Sequence, residues 1–215
     1  MTIRYEMPGD ARKRMLWQFA VDVASYAHPG WVERAGLSRV PTRGMLRSLA
    51  MIDAYRLEAI DFTALTREAQ CLMLLERRDL LQVIRVDVAL DVALELKQRV
   101  ARDVVRACRR ALGVSAYDYA LDMPDAWLQA RCARRGLPTG MPVQPARLLA
   151  AQRETLIALS CSLPYAVGQR LRFRFRPGSF GHFVVPAHRA GLLNELFEVT
   201  SMAQLSGRAT CIFQS

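Results

Sequence analysis

The chain contains almost no lysine. Only Lys13 and Lys97 occur among its 30 basic residues, which leaves 28 arginines in 215 residues. Acidic residues number 20, so the net charge is +10 at neutral pH. Arginine binds carboxylates through paired hydrogen bonds and stacks on aromatic rings, so this composition suits protein partners and nucleic acids alike. An arginine-rich genome would produce the same bias without any partner.

Recognisable catalytic motifs are also missing. The sequence has no P-loop, GxSxG, HExxH or glycine-rich dinucleotide motif, so we predict that the protein is not an enzyme and uses no cofactor. His182 and His188 could bind zinc together with Cys161 and Cys211 only if a hairpin joined them, and their spacing matches no zinc template.

Asp87, Asp91 and Glu95 recur every four residues and would share one face of a helix. Such carboxylates could hold a divalent metal, but helical two-metal sites normally add a histidine, which this segment lacks. We therefore predict a solvated, charged helix face and no metal.

Paired cysteines and long apolar runs are scarce as well. The five cysteines are widely spaced and form no CxxC, which predicts buried, reduced thiols. No run approaches the ~18 apolar residues of a transmembrane helix. The basic segment ARKRMLWQFAVDVASYA mimics a signal peptide, but Gln18 and Asp22 interrupt it. We expect a soluble, cytoplasmic protein.

The apolar residues follow a helical period over most of the chain. Residues 80–112 contain no glycine or proline, and the stretch 64–112 is too long for one globular helix, so it should form at least two. We predict a mostly α fold: a compact multi-helix domain over residues 11–215, after a flexible N-terminus at residues 1–10. A proline- and glycine-rich loop should occupy residues 136–145.

A basic stripe follows the helical period near the middle of the chain. It consists of Arg99, Arg102, Arg106, Arg109 and Arg110. Such a stripe could follow a phosphate backbone. Nucleic-acid modules usually add exposed aromatic residues or a recognisable signature, and neither is visible. A nucleic-acid-binding helical regulator therefore stays as the alternative function.

The segment RLRFRFRPG (170–178) alternates arginine with apolar residues. Alternation predicts a strand, so the mostly α fold should contain at most a small β-hairpin near residues 170–186. Leu171, Phe173 and Phe175 should face the core. The four arginines should face outward and bind carboxylates, either of a partner protein or of this chain, for example those of residues 87, 91 and 95.

Several segments together resemble a known family. Phe19 and the stretch Tyr26-Ala-His-Pro-Gly-Trp31 match a helix followed by a Tyr-x-His-x-x-Trp pattern. Two long apolar helices, Trp127 and an arginine-rich segment between two C-terminal helices follow in the same order. Over residues 15–213 the chain resembles the SctK/YscK family, accessory proteins of the bacterial type III secretion sorting platform.

The resemblance implies a non-catalytic cytoplasmic adaptor at the base of the injectisome. Such an adaptor links the cytoplasmic domain of the inner-membrane ring component (SctD) to the pod protein (SctQ), which carries the stator (SctL) and the ATPase (SctN). It would lie at the cytoplasmic face of the inner membrane through these partners, without membrane insertion, specific nucleic acid or small-molecule substrate. The candidate partner-binding residues are Arg170, Arg172, Arg174, Arg176, Arg99, Arg102 and Arg106.

Overall fold

The computed structural model describes residues 11–41, 45–98, 101–137, 143–180, 191–203 and 205–206. The fold is all-α, with 73% helix and no strand in the described ranges, which confirms the predicted mostly α class. The predicted N-terminal segment 1–10 and half of the predicted loop, residues 138–142, lie outside these ranges. No described helix combines the length and the apolar composition that crossing a membrane needs.

The helices, apart from a short 3-10 turn at Phe62–Ala64, are α1 (Ala11–Val21), α2 (Val23–Tyr26), α3 (Pro29–Arg34), α4 (Leu46–Ala54), α5 (Arg67–Leu74), α6 (Arg77–Asp91), α7 (Ala93–Lys97), α8 (Arg102–Leu112), α9 (Val114–Asp122), α10 (Asp125–Arg135), α11 (Pro145–Ser162), α12 (Tyr165–Phe173) and α13 (Leu192–Thr200). The stretch 64–112 is thus divided among several helices, as its length predicted.

Local sequence sets several helix ends. The Thr66 hydroxyl accepts a hydrogen bond from the Ala69 amide and caps α5. His28 caps α3 in the same way, and Pro29 occupies the first helical position. Gly113 and Gly136 end α8 and α10 with φ of 84° and 62°, a backbone conformation that glycine adopts without a Cβ penalty.

Contacts between Cα atoms divide the chain into two compact units. Unit 1 holds α1–α5, α12 and the end of α11 from Ser160, and unit 2 holds α6–α10, the rest of α11 and α13. The single domain over residues 11–215 stays a prediction.

Unit 1 contains an aromatic cluster. Trp31, Tyr55 and Phe173 meet edge to face, with ring centroids 4.9–5.6 Å apart. Val23 and Met51, both fully buried, pack into the same cluster. Edge-to-face ring pairs contribute about 0.5–1.5 kcal/mol each beyond the burial of their area. The cluster therefore fastens the end of α12 to α3 and α4.

Unit 2 is built on α6. Nine of the 15 residues of α6 are buried, and the helix contacts α8, α9, α10 and α13. A helix that is apolar around most of its circumference must lie inside the protein. Near its start, the Asp79 carboxylate accepts hydrogen bonds from the amide and the hydroxyl of Ser206.

The predicted strand at residues 170–176 is wrong. The segment continues α12 to Phe173 and then turns, with Pro177 after it. Leu171, Phe173 and Phe175 are buried as predicted, but Arg170 and Arg174 are buried beside them. The other arm of the predicted hairpin falls within residues 181–190, outside the described ranges.

The helices α11 and α12 approach closely at one glycine. A Cβ atom added to Gly168 would lie 2.3 Å from the carbonyl oxygen of Ser160, closer than any real Cβ contact. The neighbour is backbone, so it cannot rotate away. Only glycine fits this position with α12 in place.

We expect Gly168→Ala to destabilise the protein by about 1–3 kcal/mol, because the added methyl group overpacks the contact. Without the clash, alanine inside a helix would stabilise it by about 0.5–1 kcal/mol, so the sign of the change is informative. Chemical denaturation measures the free energy of unfolding. Gly136→Ala serves as control, since its surroundings are open and it tests backbone strain alone. An unchanged or raised stability of Gly168→Ala would refute the close approach.

Candidate functional site

Arg170 is 3% exposed and binds backbone carbonyls. Its Nε donates to the oxygen of Ala20 (3.0 Å), and its Nη1 donates to the oxygens of Glu58 (2.6 Å) and Ala166 (3.0 Å). Burial lowers the pKa of Arg170, and the neighbouring Tyr26 partly opposes this shift. The guanidinium therefore joins α12 to the end of α1 and to the segment after α4.

Arg174, 7% exposed, is held in a similar way. Its Nη1 donates to the carbonyl oxygen of Leu75. Its Cζ lies 5.1 Å from the ring centroid of Phe19 and 5.3 Å from that of Tyr26, and these two rings stack on each other. A cation close to a ring centroid is attracted by the ring quadrupole. Burial raises the pKa of the Tyr26 hydroxyl above its usual range.

The prediction that all four arginines of residues 170–176 face outward is therefore wrong. Arg170 and Arg174 point inward, and of the four arginines only Arg176 is exposed. Arg172 is half-buried, with its Cζ 5.7 Å from the ring centroid of Phe180. Carbonyl oxygens and ring faces bind the two buried guanidiniums, where the sequence predicted carboxylates.

Two of the segments that carry the family resemblance meet in unit 1. The His28 amide donates to the oxygen of Phe173 (2.7 Å), and the Trp31 indole Nε1 donates to the oxygen of Phe175 (2.6 Å). Trp31 and Phe175 are 144 positions apart in the sequence. Residues 26–31 and 170–177 are thus one structural element, and most of their side chains are used in packing.

Beside this element lies an open cavity of about 570 Å³. Its lining residues are His28, Pro29, Gly30, Glu33, Arg176 and Pro177. The His28 Nδ1 is occupied as acceptor of the Gly30 amide. The cavity is lined by one exposed arginine and one exposed glutamate, so its charge favours neither an anionic nor a cationic ligand.

The basic stripe of α8 is exposed in unit 2. Arg102 and Arg106 are exposed as the partner-binding hypothesis requires, whereas Arg99 lies outside the described residues. Neither Arg102 nor Arg106 has a carboxylate partner within the described ranges. The opposite side of α8 buries Cys108, Ala111 and Leu112 against α6 and α9.

The exposed side of α8 borders a groove of about 420 Å³, which we call the α8 groove. Its lining residues are Arg102, Val105, Arg106, Arg109, Arg110 and Val114. Arg109 is oriented by the Asp118 carboxylate at 2.7 Å and by the Tyr117 ring, whose centroid lies 5.2 Å from its Cζ. Val114, at the start of α9, is 59% exposed. The groove thus combines four cations with an uncovered apolar side chain.

The carboxylates of α6 form a second charged cluster. Asp87 is 0% exposed and accepts hydrogen bonds from Arg131 (2.6 Å) and Arg135 (2.7 Å) of α10. Asp91 binds the same two arginines at 3.0 and 2.6 Å, and Glu195 of α13 binds Arg135 at 2.5 Å. Burial lowers the pKa of Arg135, but Asp87, Asp91 and Glu195 together outweigh this effect, so the pKa lies above its usual value.

The predicted solvated face of Asp87, Asp91 and Glu95, which the structure divides between α6 and α7, is therefore wrong. Asp87 and Glu95 are buried, and Asp91 is half-buried. Arg131 and Arg135 were missed by sequence analysis. Their spacing of four matches the spacing of Asp87 and Asp91, and this complementarity was the available signal.

The described residues contain no cluster of histidine, cysteine or carboxylate side chains that could hold a metal. His182, His188 and Cys211 lie outside those residues, so the prediction that they bind no zinc stays a prediction. Cys71, Cys108 and Cys132 are buried, as predicted, and burial raises the pKa of the Cys71 and Cys132 thiols. The prediction is wrong for Cys161, which is exposed.

Comparisons with profiles of known protein families, with curated proteins and with solved structures found no match for this chain. The all-α fold and the two arginine-containing regions are thus the observations from which function is inferred.

Proposed function

We propose that the protein is a non-catalytic adaptor of a bacterial type III secretion sorting platform. It links the cytoplasmic domain of SctD to the pod protein SctQ, and through SctQ to SctL and SctN. It acts in the cytoplasm, at the inner face of the inner membrane through these partners. The α8 groove carries this proposal, because its exposed arginines offer a surface for an acidic protein.

Residues 26–31 pack against residues 170–177, and His28 and Trp31 hydrogen-bond to the backbone of the arginine-rich segment. This packing makes the two segments a structural scaffold. Of the predicted partner-binding residues, the buried Arg170 and Arg174 support this scaffold. We assign partner binding to Arg102 and Arg106.

Co-purification tests the adaptor function. The tagged full chain should capture a SctQ-type pod protein and a SctD-type cytoplasmic domain from the same source. Arg102→Glu/Arg106→Glu should lose one partner and retain the other, since charge reversal in a binding groove repels an acidic surface. Arg78→Glu/Arg147→Glu changes the net charge equally at exposed residues outside the groove and should retain both. Capture of neither partner by the unaltered chain would contradict the adaptor function.

A nucleic-acid-binding regulator is the second candidate, and the same basic groove favours it. Under the adaptor proposal, binding to DNA or RNA should be weak and should disappear as salt rises, because release of counterions drives it. Filter binding or anisotropy at several salt concentrations measures this. A sequence-specific complex of nanomolar affinity at ~0.15 M salt would instead identify a regulator.

A further inference from the structure

The arginines of the α8 groove repeat with the period of a helix. Residues 102, 106, 109 and 110 fall within an arc of about 100° when successive residues are placed 100° apart. At a rise of 1.5 Å per residue they extend over about 12 Å along the helix axis. A second helix lying along α8 would therefore meet this row of cations over about two turns.

The groove also contains apolar surface that a phosphate backbone cannot use. Val105 is half-buried and Val114 is 59% exposed, and both line the groove together with the arginines. An exposed valine beside arginines matches a partner that carries apolar and acidic residues on the same face. Polynucleotide binding sites that combine basic and apolar contacts usually supply exposed aromatic rings for the bases.

The charge on the chain argues against a second copy as the occupant. The net charge is +10, and a copy of α8 placed in the groove would bring arginine against arginine. Asp118 is already engaged with Arg109 and sits at the edge of the groove. This ion pair already engages Arg109, so Arg102 and Arg106, which have no carboxylate partner within the described ranges, are the principal cations for an acidic partner.

We infer that the α8 groove binds an acidic amphipathic helix of a partner protein. Carboxylates spaced three to four residues apart on that helix would meet Arg102, Arg106 and Arg109, and an aliphatic side chain on the same face would cover Val114. This inference deepens the proposed adaptor function and rests on it for the identity of the partner alone; the chemistry of the groove stands without it.

Three fluorescent probes of about 18 residues or nucleotides test the inference. The first is an alanine-based peptide with glutamates and leucines arranged on one helical face, and the second is the same peptide with those residues scrambled. The third is a single-stranded DNA. Fluorescence anisotropy of the full chain at ~0.15 M salt gives each dissociation constant. The first probe should bind at least about tenfold more tightly than the other two.

The variants locate the binding. Arg102→Glu/Arg106→Glu should weaken binding of the amphipathic peptide by roughly tenfold or more, whereas Arg78→Glu/Arg147→Glu should stay within about twofold. Val114→Ser should weaken binding of the amphipathic peptide and leave the affinity for DNA unchanged, since it removes only an apolar contact. Unaltered melting temperatures verify the fold, because all five side chains are exposed.

Equal affinity for the ordered and scrambled peptides would overturn the inference, and so would tighter binding of DNA. If the groove binds no acidic peptide while the chain still captures SctQ- and SctD-type proteins, the inference is wrong and the adaptor function stands. If the peptide binds through Arg102 and Arg106 while neither protein is captured, the groove is assigned and the adaptor function is wrong.

Discussion

Asp87→Ala is expected to destabilise the protein by about 3–5 kcal/mol, because the substitution removes the central carboxylate of a buried ion cluster. Asp87 is 0% exposed, and its Oδ1 accepts from both Arg131 and Arg135. The remaining carboxylates, Asp91 and Glu195, are partly exposed and lie at the edge of the cluster. Alanine would leave the two buried guanidiniums with the partly exposed Asp91 and Glu195 as their carboxylate partners.

Urea denaturation of the Asp87→Ala variant measures this loss, and Asp125→Ala provides the control. Asp125 is 63% exposed and pairs with Lys97 at 2.5 Å. Exposed pairs contribute about 0–1 kcal/mol, so the control should change little. If both variants lose the same small amount, the burial of the Asp87 cluster is contradicted.

A double-mutant cycle separates the pair from its surroundings. Asp87→Ala/Arg131→Ala should lose less stability than the sum of the two single variants, because the second substitution removes the charge that the first leaves unpaired. The difference should be about 0.5–3 kcal/mol. Strict additivity would mean that the two side chains do not interact in solution.

The ion cluster shows why part of the candidate site could not be predicted from sequence. Asp87 and Asp91 share one face of α6, and charged residues at helical spacing are usually solvated. Their burial depends on α10, which brings Arg131 and Arg135 against them from 44 residues further along the chain. A pattern within one helix contains no information on which helix covers it.

The segment RLRFRFRPG shows a different limit. Burial of Leu171, Phe173 and Phe175 was correctly predicted, yet the conformation was not. Short apolar runs fit a strand and a helix alike, and the preceding residues decide. Val167 and Leu171, four apart and fully buried, continue the helical repeat that begins after Pro164.

The exposure of the α8 stripe was predictable because it follows from the helical period alone. The four described arginines fall on one side and the buried Cys108, Ala111 and Leu112 on the other, so the period alone places the arginines in solvent. The helical period does not predict the burial of Arg170 and Arg174, because arginine is usually exposed and is rarely buried without partners. Their partners are backbone carbonyls, which every sequence supplies and no motif marks.

Arg174→Glu is expected to unfold the protein or to destabilise it by at least about 3 kcal/mol, because a buried carboxylate would face a carbonyl oxygen and two ring faces. In the native chain the Arg174 guanidinium donates to Leu75 and lies against Phe19 and Tyr26. Each of these contacts attracts a cation and repels an anion. The loss therefore combines a missing charged hydrogen bond, about 1.5–3 kcal/mol, with the desolvation of an unpaired charge.

Two companion variants distinguish packing from charge. Arg174→Met keeps an apolar stem of similar length and should lose only the hydrogen bond and the cation–ring contact, so its loss should be smaller than that of Arg174→Glu. Arg176→Glu reverses an exposed charge two positions along and should leave the melting temperature nearly unchanged. A folded Arg174→Glu protein with native stability would mean that the arginine faces solvent. In that case residues 170–176 would again be a candidate partner-binding surface. Loss of SctQ or SctD capture by the same variant would then show that they bind the partner.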